Sequence, residues 1–180
     1  MNRTIPKSRV SFAVVLLFVW SETSVADYTD EFIHYKCDRS GDRVLLWTED
    51  IPGDIHGRNT ALEFDRRDEG FYDPSRLAGD GRGPGRVIRK VCKIGGDSVG
   101  VIIGAQRACQ MGYTLSLRVS YRGKLIFRAD PFGSDCSDIW APHYLRIEPT
   151  LGRITVGPSG DNPESEEENV GRVTFGLPIE

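Results

Sequence analysis

From Tyr113 to Tyr121 the chain alternates, with Tyr113, Leu115, Leu117, Val119 and Tyr121 on one parity and Thr114, Ser116, Arg118 and Ser120 on the other. Successive side chains of a strand point to opposite faces, so this period of two predicts a strand with one buried and one wet face. Tyr121-Arg122-Gly123 reads as a three-residue hairpin loop, with Gly123 in the left-handed conformation. That loop sets Ser120 opposite Lys124, Val119 opposite Leu125 and Leu117 opposite Phe127, so apolar meets apolar. Carried outward, the same register leaves Cys109 one residue out of line with Cys136. A bulge near Pro131 or within residues 106–112 would close that gap, and a disulfide is expected at the hairpin base.

Three further hairpins follow from the same logic. Ile33, Tyr35 and Cys37 share one face, His34 and Lys36 the other, and the turn-rich residues 38–42 lead into the apolar run Val44-Leu45-Leu46-Trp47. Val87 to Ile94 and Val99 to Ile103 pair around Gly95-Gly96 or Gly96-Asp97. Either turn places Cys92 on the face of Val99 or Val101, pointing inward as Cys37 does. Leu145 and Ile147 are answered by Ile154 and Val156; a turn at Thr150-Leu151 sets Ile147 opposite Ile154, Leu145 opposite Val156 and Glu148 opposite Arg153. With Cys109 and Cys136 joined, Cys37–Cys92 is the remaining bridge.

The connecting segments differ from these hairpins. Residues 49–86 are broken by Gly and Pro, with one short edge-strand candidate at Ala61–Phe64. The glycine-rich run 79–85 precedes a strand and opens no helix, so it reads as a surface crossover and not as a phosphate loop. Residues 158–169 contain no apolar side chain and predict an acidic, disordered tail; Val170–Phe175 either add an edge strand or trail behind it, and trailing is preferred. No amphipathic helix is visible. Seven or eight short strands linked by hairpins predict an antiparallel all-β fold. A β-sandwich stapled by two disulfides is preferred to a small β-barrel, because the 49–86 excursion suits a crossover between sheets.

Composition changes the picture at both ends. Arg3, Lys7 and Arg9 precede an unbroken apolar run from Phe12 to Trp20, and Ser24-Val25-Ala26 supplies small residues for cleavage. Residues 1–26 therefore predict a signal peptide, residues 27–157 the β domain and 158–180 the tail. The mature chain is expected to be secreted or periplasmic, with no membrane anchor after cleavage and with disulfides in place. Of 23 basic and 26 acidic residues, the leader holds three and one and the tail one and six, which leaves nineteen of each sign between 27 and 157. That neutral balance gives no electrostatic case for nucleic acid or an anionic membrane.

Candidate chemistry is sparse. His34, His56 and His143 lack the spacing of a zinc or triad motif, all four cysteines are assigned to bridges, and no calcium-loop pattern occurs, so no metal or cofactor is expected. The long loop carries Arg66, Arg67, Phe71, Tyr72 and Arg76, and arginine and aromatic side chains are common interface anchors. The competing reading of Phe71 and Tyr72 is that they pack into the fold. The expected function is an exported, non-enzymatic protein that binds another macromolecule, foremost a protein, of inhibitor or immunity type. One alternative is a small periplasmic hydrolase using His56 or His143 with a carboxylate. Another is a small-ligand or glycan module with Trp47 or Trp140 as a stacking platform.

Overall fold

The structure is a computed structural model, and it describes residues 29–52, 64–78, 85–107, 113–134, 141–159 and 171–178. Among these residues the fold is almost wholly antiparallel β, in two sheets. The strands are β1 (Thr29–Asp38), β2 (Arg43–Pro52), β3 (Phe64–Asp65), β4 (Glu69–Tyr72), β5 (Val87–Ile94), β6 (Asp97–Arg107), β7 (Tyr113–Tyr121), β8 (Lys124–Ser134), β9 (Tyr144–Glu148), β10 (Arg153–Gly157) and β11 (Val173–Gly176). One sheet runs β11-β10-β9-β2-β1-β4-β3 and the other β5-β6-β7-β8. The expected leader, residues 1–26, lies outside the described residues.

Three predicted hairpins form as read. β1 and β2 pair around a turn in which Asp38 accepts from the Ser40 hydroxyl, the Gly41 N–H and Arg43. The Ser40 hydroxyl, with the Gly41 N–H and Arg43 beside it, holds the Asp38 carboxyl down to about 2. β5 and β6 turn at Gly95-Gly96 and set Cys92 opposite Val99. β9 and β10 place Ile147 opposite Ile154, Leu145 opposite Val156 and Glu148 opposite Arg153.

The β7–β8 hairpin is present, but its register differs from expectation. Its loop has two residues, and Arg122 and Gly123 both carry positive φ, 51° and 80°. Two left-handed residues make the tight turn that matches strand twist. Arg122 tolerates that conformation because its guanidinium holds Asp97 through Nε and Nη2, each at 2.9 Å, while its N–H bonds the Ser98 carbonyl. That turn sets Ser120 opposite Leu125, and bulges farther along the ladder then set Val119 opposite Phe127, Leu117 opposite Ala129 and Thr114 opposite Ser134. The register that brought Cys109 within one residue of Cys136 does not hold at this end of the ladder. Both cysteines lie outside the described residues.

The other expected bridge, Cys37–Cys92, is present and joins β1 of one sheet to β5 of the other. Around it one buried cluster draws from both sheets: Ile33, Tyr35, Val44, Leu46, Leu145 and Ile147 meet Val99, Val101, Ile103, Leu115, Leu117 and Phe132. Alternation thus puts one face of each sheet into a shared core, and the burial of these side chains dominates stability.

Several segments depart from the reading as loops, among them residues 49–52, which continue β2, and Glu69–Tyr72, which forms β4. Residues 173–176 do not trail: β11 pairs with β10, Leu177 is 8% exposed and belongs to the core cluster, and its N–H bonds the Gly152 carbonyl. Between β4 and β5, Pro74–Ala78 forms a short helix, α1. Asp73 starts it by accepting from the N–H and hydroxyl of Ser75, and Pro74 follows where no N–H is needed. Of the expected edge strand 61–64, the described part is Phe64, which opens β3; residues 61–63 lie outside.

Candidate functional site

The five loop residues expected to bind a partner do not converge. Arg66 and Arg67 lie exposed between β3 and β4, where Arg66 sits 5.9 Å from the Phe64 ring centroid and its carbonyl accepts from Lys90 Nζ. Phe71 and Tyr72 instead belong to β4 and pair with β1, at 4% and 1% exposure. Their apolar surface is consumed within the fold, which corrects their assignment as interface anchors. Arg76 stands on α1, 3.5 Å from Asp73.

Tyr72 takes part in a structural cluster. Its hydroxyl donates to Asp65, which also pairs with the ammonium of Lys90, a buried side chain of β5 lying over the rings of Tyr35 and Tyr72. Burial opposes ionisation of Asp65, but the hydrogen bonds from Lys90 and Tyr72 outweigh it and hold the carboxyl below its usual range. Burial raises the Tyr35 phenol to about 12. This cluster ties β3 and β4 of one sheet to β5 of the other.

The histidines are likewise engaged. His34 stacks on Trp47 at 4.7 Å and meets Phe71 edge-on at 4.6 Å, while Phe32 stacks on Phe71 at 4.8 Å. Its Nε2 lies 2.9 Å from Glu49. Burial lowers the His34 pKa, and the nearby Glu49 carboxylate opposes that shift without cancelling it. One face of Trp47 is thereby occupied, which weighs against its use as a stacking platform. His143 Nδ1 lies 2.9 Å from Thr48 Oγ1, but Thr48 is 3% exposed, so substrate has no access to that hydroxyl. His56 and Trp140 lie outside the described residues. Among the described residues no group of three or more His, Cys, Asp or Glu could hold a metal ion.

The feature that sequence reading missed is the outer face of the four-stranded sheet. β5 presents Val87, Arg89, Val91 and Lys93 there, β6 Gly100, Ile102 and Gly104, and β7 Ser116, Arg118 and Ser120. Arg89, Ile102, Arg118 and Arg128 form one row across four strands, with Arg118 directly opposite Arg128. Like charges in that position repel. Arg128 has Asp130 at 3.5 Å, but among the described residues neither Arg89, Lys93 nor Arg118 has an ion pair or hydrogen-bond partner.

Five acids are paired elsewhere: Asp38 with Arg43, Asp65 with Lys90, Asp68 with Arg39, Asp97 with Arg122 and Glu148 with Arg153. A core with a neutral total thus carries a positive face. Beside Arg89 and Arg118 lies a depression of about 230 Å³, lined also by Val87, Ile102, Gly104 and Ser116. Its floor exists because Gly104 has no side chain; a Cβ there would stand 2.9 Å from Ser116 Oγ.

A disulfide fits an extracellular or otherwise oxidising compartment, and among the described residues no helix is long and apolar enough to cross a membrane. Comparison with models of protein families, with curated proteins and with solved structures finds no match.

Proposed function

We propose that the chain is an exported, non-enzymatic β-sandwich that binds another protein, and that the binding surface is the outer face of the four-stranded sheet. The observation carrying this reading is that Arg89 and Arg118 have no counter-charge among the described residues on an exposed face, while five acids elsewhere are paired. Arg118 also stands directly opposite Arg128 of the neighbouring strand, and like charges so placed destabilise a sheet, so their retention fits a surface whose counter-charge arrives with a partner. Val87 and Val91, 51% and 57% exposed, add aliphatic area beside them. The leader at residues 1–26 and the disulfide support export.

The test is affinity capture from the exported fraction, comparing the wild-type chain with an Arg89→Glu/Arg118→Glu variant of equal melting temperature. A protein retained by the wild type, released by salt and absent from the variant is expected. Equal retention by both chains, or retention of no protein, would overturn the proposal.

A further inference from the structure

We infer that the depression beside Arg89 and Arg118 is an acid-recognition subsite, which takes a carboxylate side chain from an extended acidic segment of the partner protein. The inference rests on the protein-binding reading of this face and adds the chemistry of what is bound. The depression is open to solvent, and the two guanidiniums at its side have no partners among the described residues. Guanidinium forks match carboxylates with paired, charge-assisted hydrogen bonds, and the Ser116 hydroxyl on the same wall adds another donor.

The glycines argue for a ligand that lies along β6. Gly104 and Gly100 sit in the strand interior, neither has a positive φ, and each faces a serine across the ladder, Ser116 and Ser120. Backbone conformation therefore does not require glycine at either position. Glycine inside a strand weakens it and often marks a place where a ligand or another backbone approaches closely. The two glycines lie four residues apart on one face, roughly 13 Å at strand rise, and only Gly104 lines the depression. An extended peptide repeats its side-chain direction every second residue, so its residues i and i+4 pass over the two glycines while the residue between lies over Ile102.

Charge complementarity selects an acidic partner. A protein is favoured over nucleic acid because the large apolar side chains exposed on this face are the aliphatic Val87, Val91 and Leu125. Among the described residues the face offers no aromatic ring on which a base could stack.

The experiment measures fluorescence anisotropy of a labelled synthetic peptide alternating Glu and Ser, titrated with the full chain at low and physiological salt. A peptide alternating Gln and Ser, a single-stranded oligonucleotide and a sulfated oligosaccharide are run beside it. Saturable binding of the Glu peptide is expected, with little binding of the Gln peptide and about tenfold weakening by Arg89→Ala or Arg118→Ala. Gly104→Val, which fills the depression, is expected to weaken binding as much; because its Cβ would stand 2.9 Å from Ser116 Oγ, the native fold of this variant is checked by circular dichroism beside the binding measurement. Equal binding of Gln and Glu peptides, tighter binding of the oligonucleotide or the sulfated glycan, or full binding by Gly104→Val would each overturn the assignment. If a natural partner is captured and lost on charge reversal, yet the Glu peptide does not bind, the protein-binding face stands and the acid subsite falls.

Discussion

The bridge between Cys37 and Cys92 gives the sharpest stability prediction. It joins β1 to β5 across the two sheets and closes a loop with a sequence separation of 55. Cross-linking residues so far apart removes conformations from the unfolded chain, and the loop-entropy relation gives about 4 kcal/mol at 25 °C. For a domain of this size that corresponds to roughly 15 °C in melting temperature. Alanine at Cys37 and Cys92 would confound this value with lost packing, because both side chains are buried. The perturbation is therefore made in a chain carrying Cys109→Ala and Cys136→Ala, where Cys37–Cys92 is the sole redox variable. Thermal and urea unfolding of the oxidised and reduced forms, followed by circular dichroism and tryptophan fluorescence, then read loop closure directly. The reduced form should also show a larger urea dependence, as its unfolded chain exposes more surface. Midpoints within about 3 °C of each other would refute the reasoning, because the loop would contribute far less than the entropy relation requires.

Three other outcomes are expected. Leu177→Ala should destabilise the chain by about 2 kcal/mol in chemical denaturation, since Leu177 belongs to the core cluster; an unchanged midpoint would mean that residues 171–178 only trail. Asp65→Asn should cost more than Lys90→Met, by about 1 kcal/mol, because it strands a buried ammonium, whereas Asp65 is 57% exposed and water can solvate it; the reverse order would count against the cluster. Burial lowers the His34 pKa below its unfolded value of 6.5, so the unfolded chain binds the extra proton first as pH falls. Stability should therefore rise with pH up to about 6.5, and His34→Phe, which keeps a ring against Trp47, should flatten that part of the urea-midpoint profile; parallel profiles would show that His34 does not contribute.

Much of the architecture is determined locally. Alternation along Tyr113–Tyr121 and in the pairs Leu145/Ile147 and Ile154/Val156 specifies strands and their buried faces, because a one-residue slip would turn every apolar side chain to water. The inward parity of Cys37 and Cys92 allows their bridge, but the pairing itself follows in sequence by elimination from a Cys109–Cys136 register that the β7–β8 ladder does not keep. The turn at Arg122-Gly123 escaped that logic because a non-glycine residue takes a left-handed conformation there, held by Asp97 from another strand. β11 escaped it because four exposed residues carry little pattern of their own and are placed by the edge of β10. Phe71 and Tyr72 looked like loop anchors until β4 paired with β1 and buried them.

The candidate site was the least legible part. A sequence gives total charge, and residues 27–157 sum to zero. Which acid meets which base depends on residues far apart in the chain, as with Asp65 and Lys90 or Asp97 and Arg122. Only the tertiary structure decides those pairings, and they leave Arg89 and Arg118 without counter-charge beside an open depression.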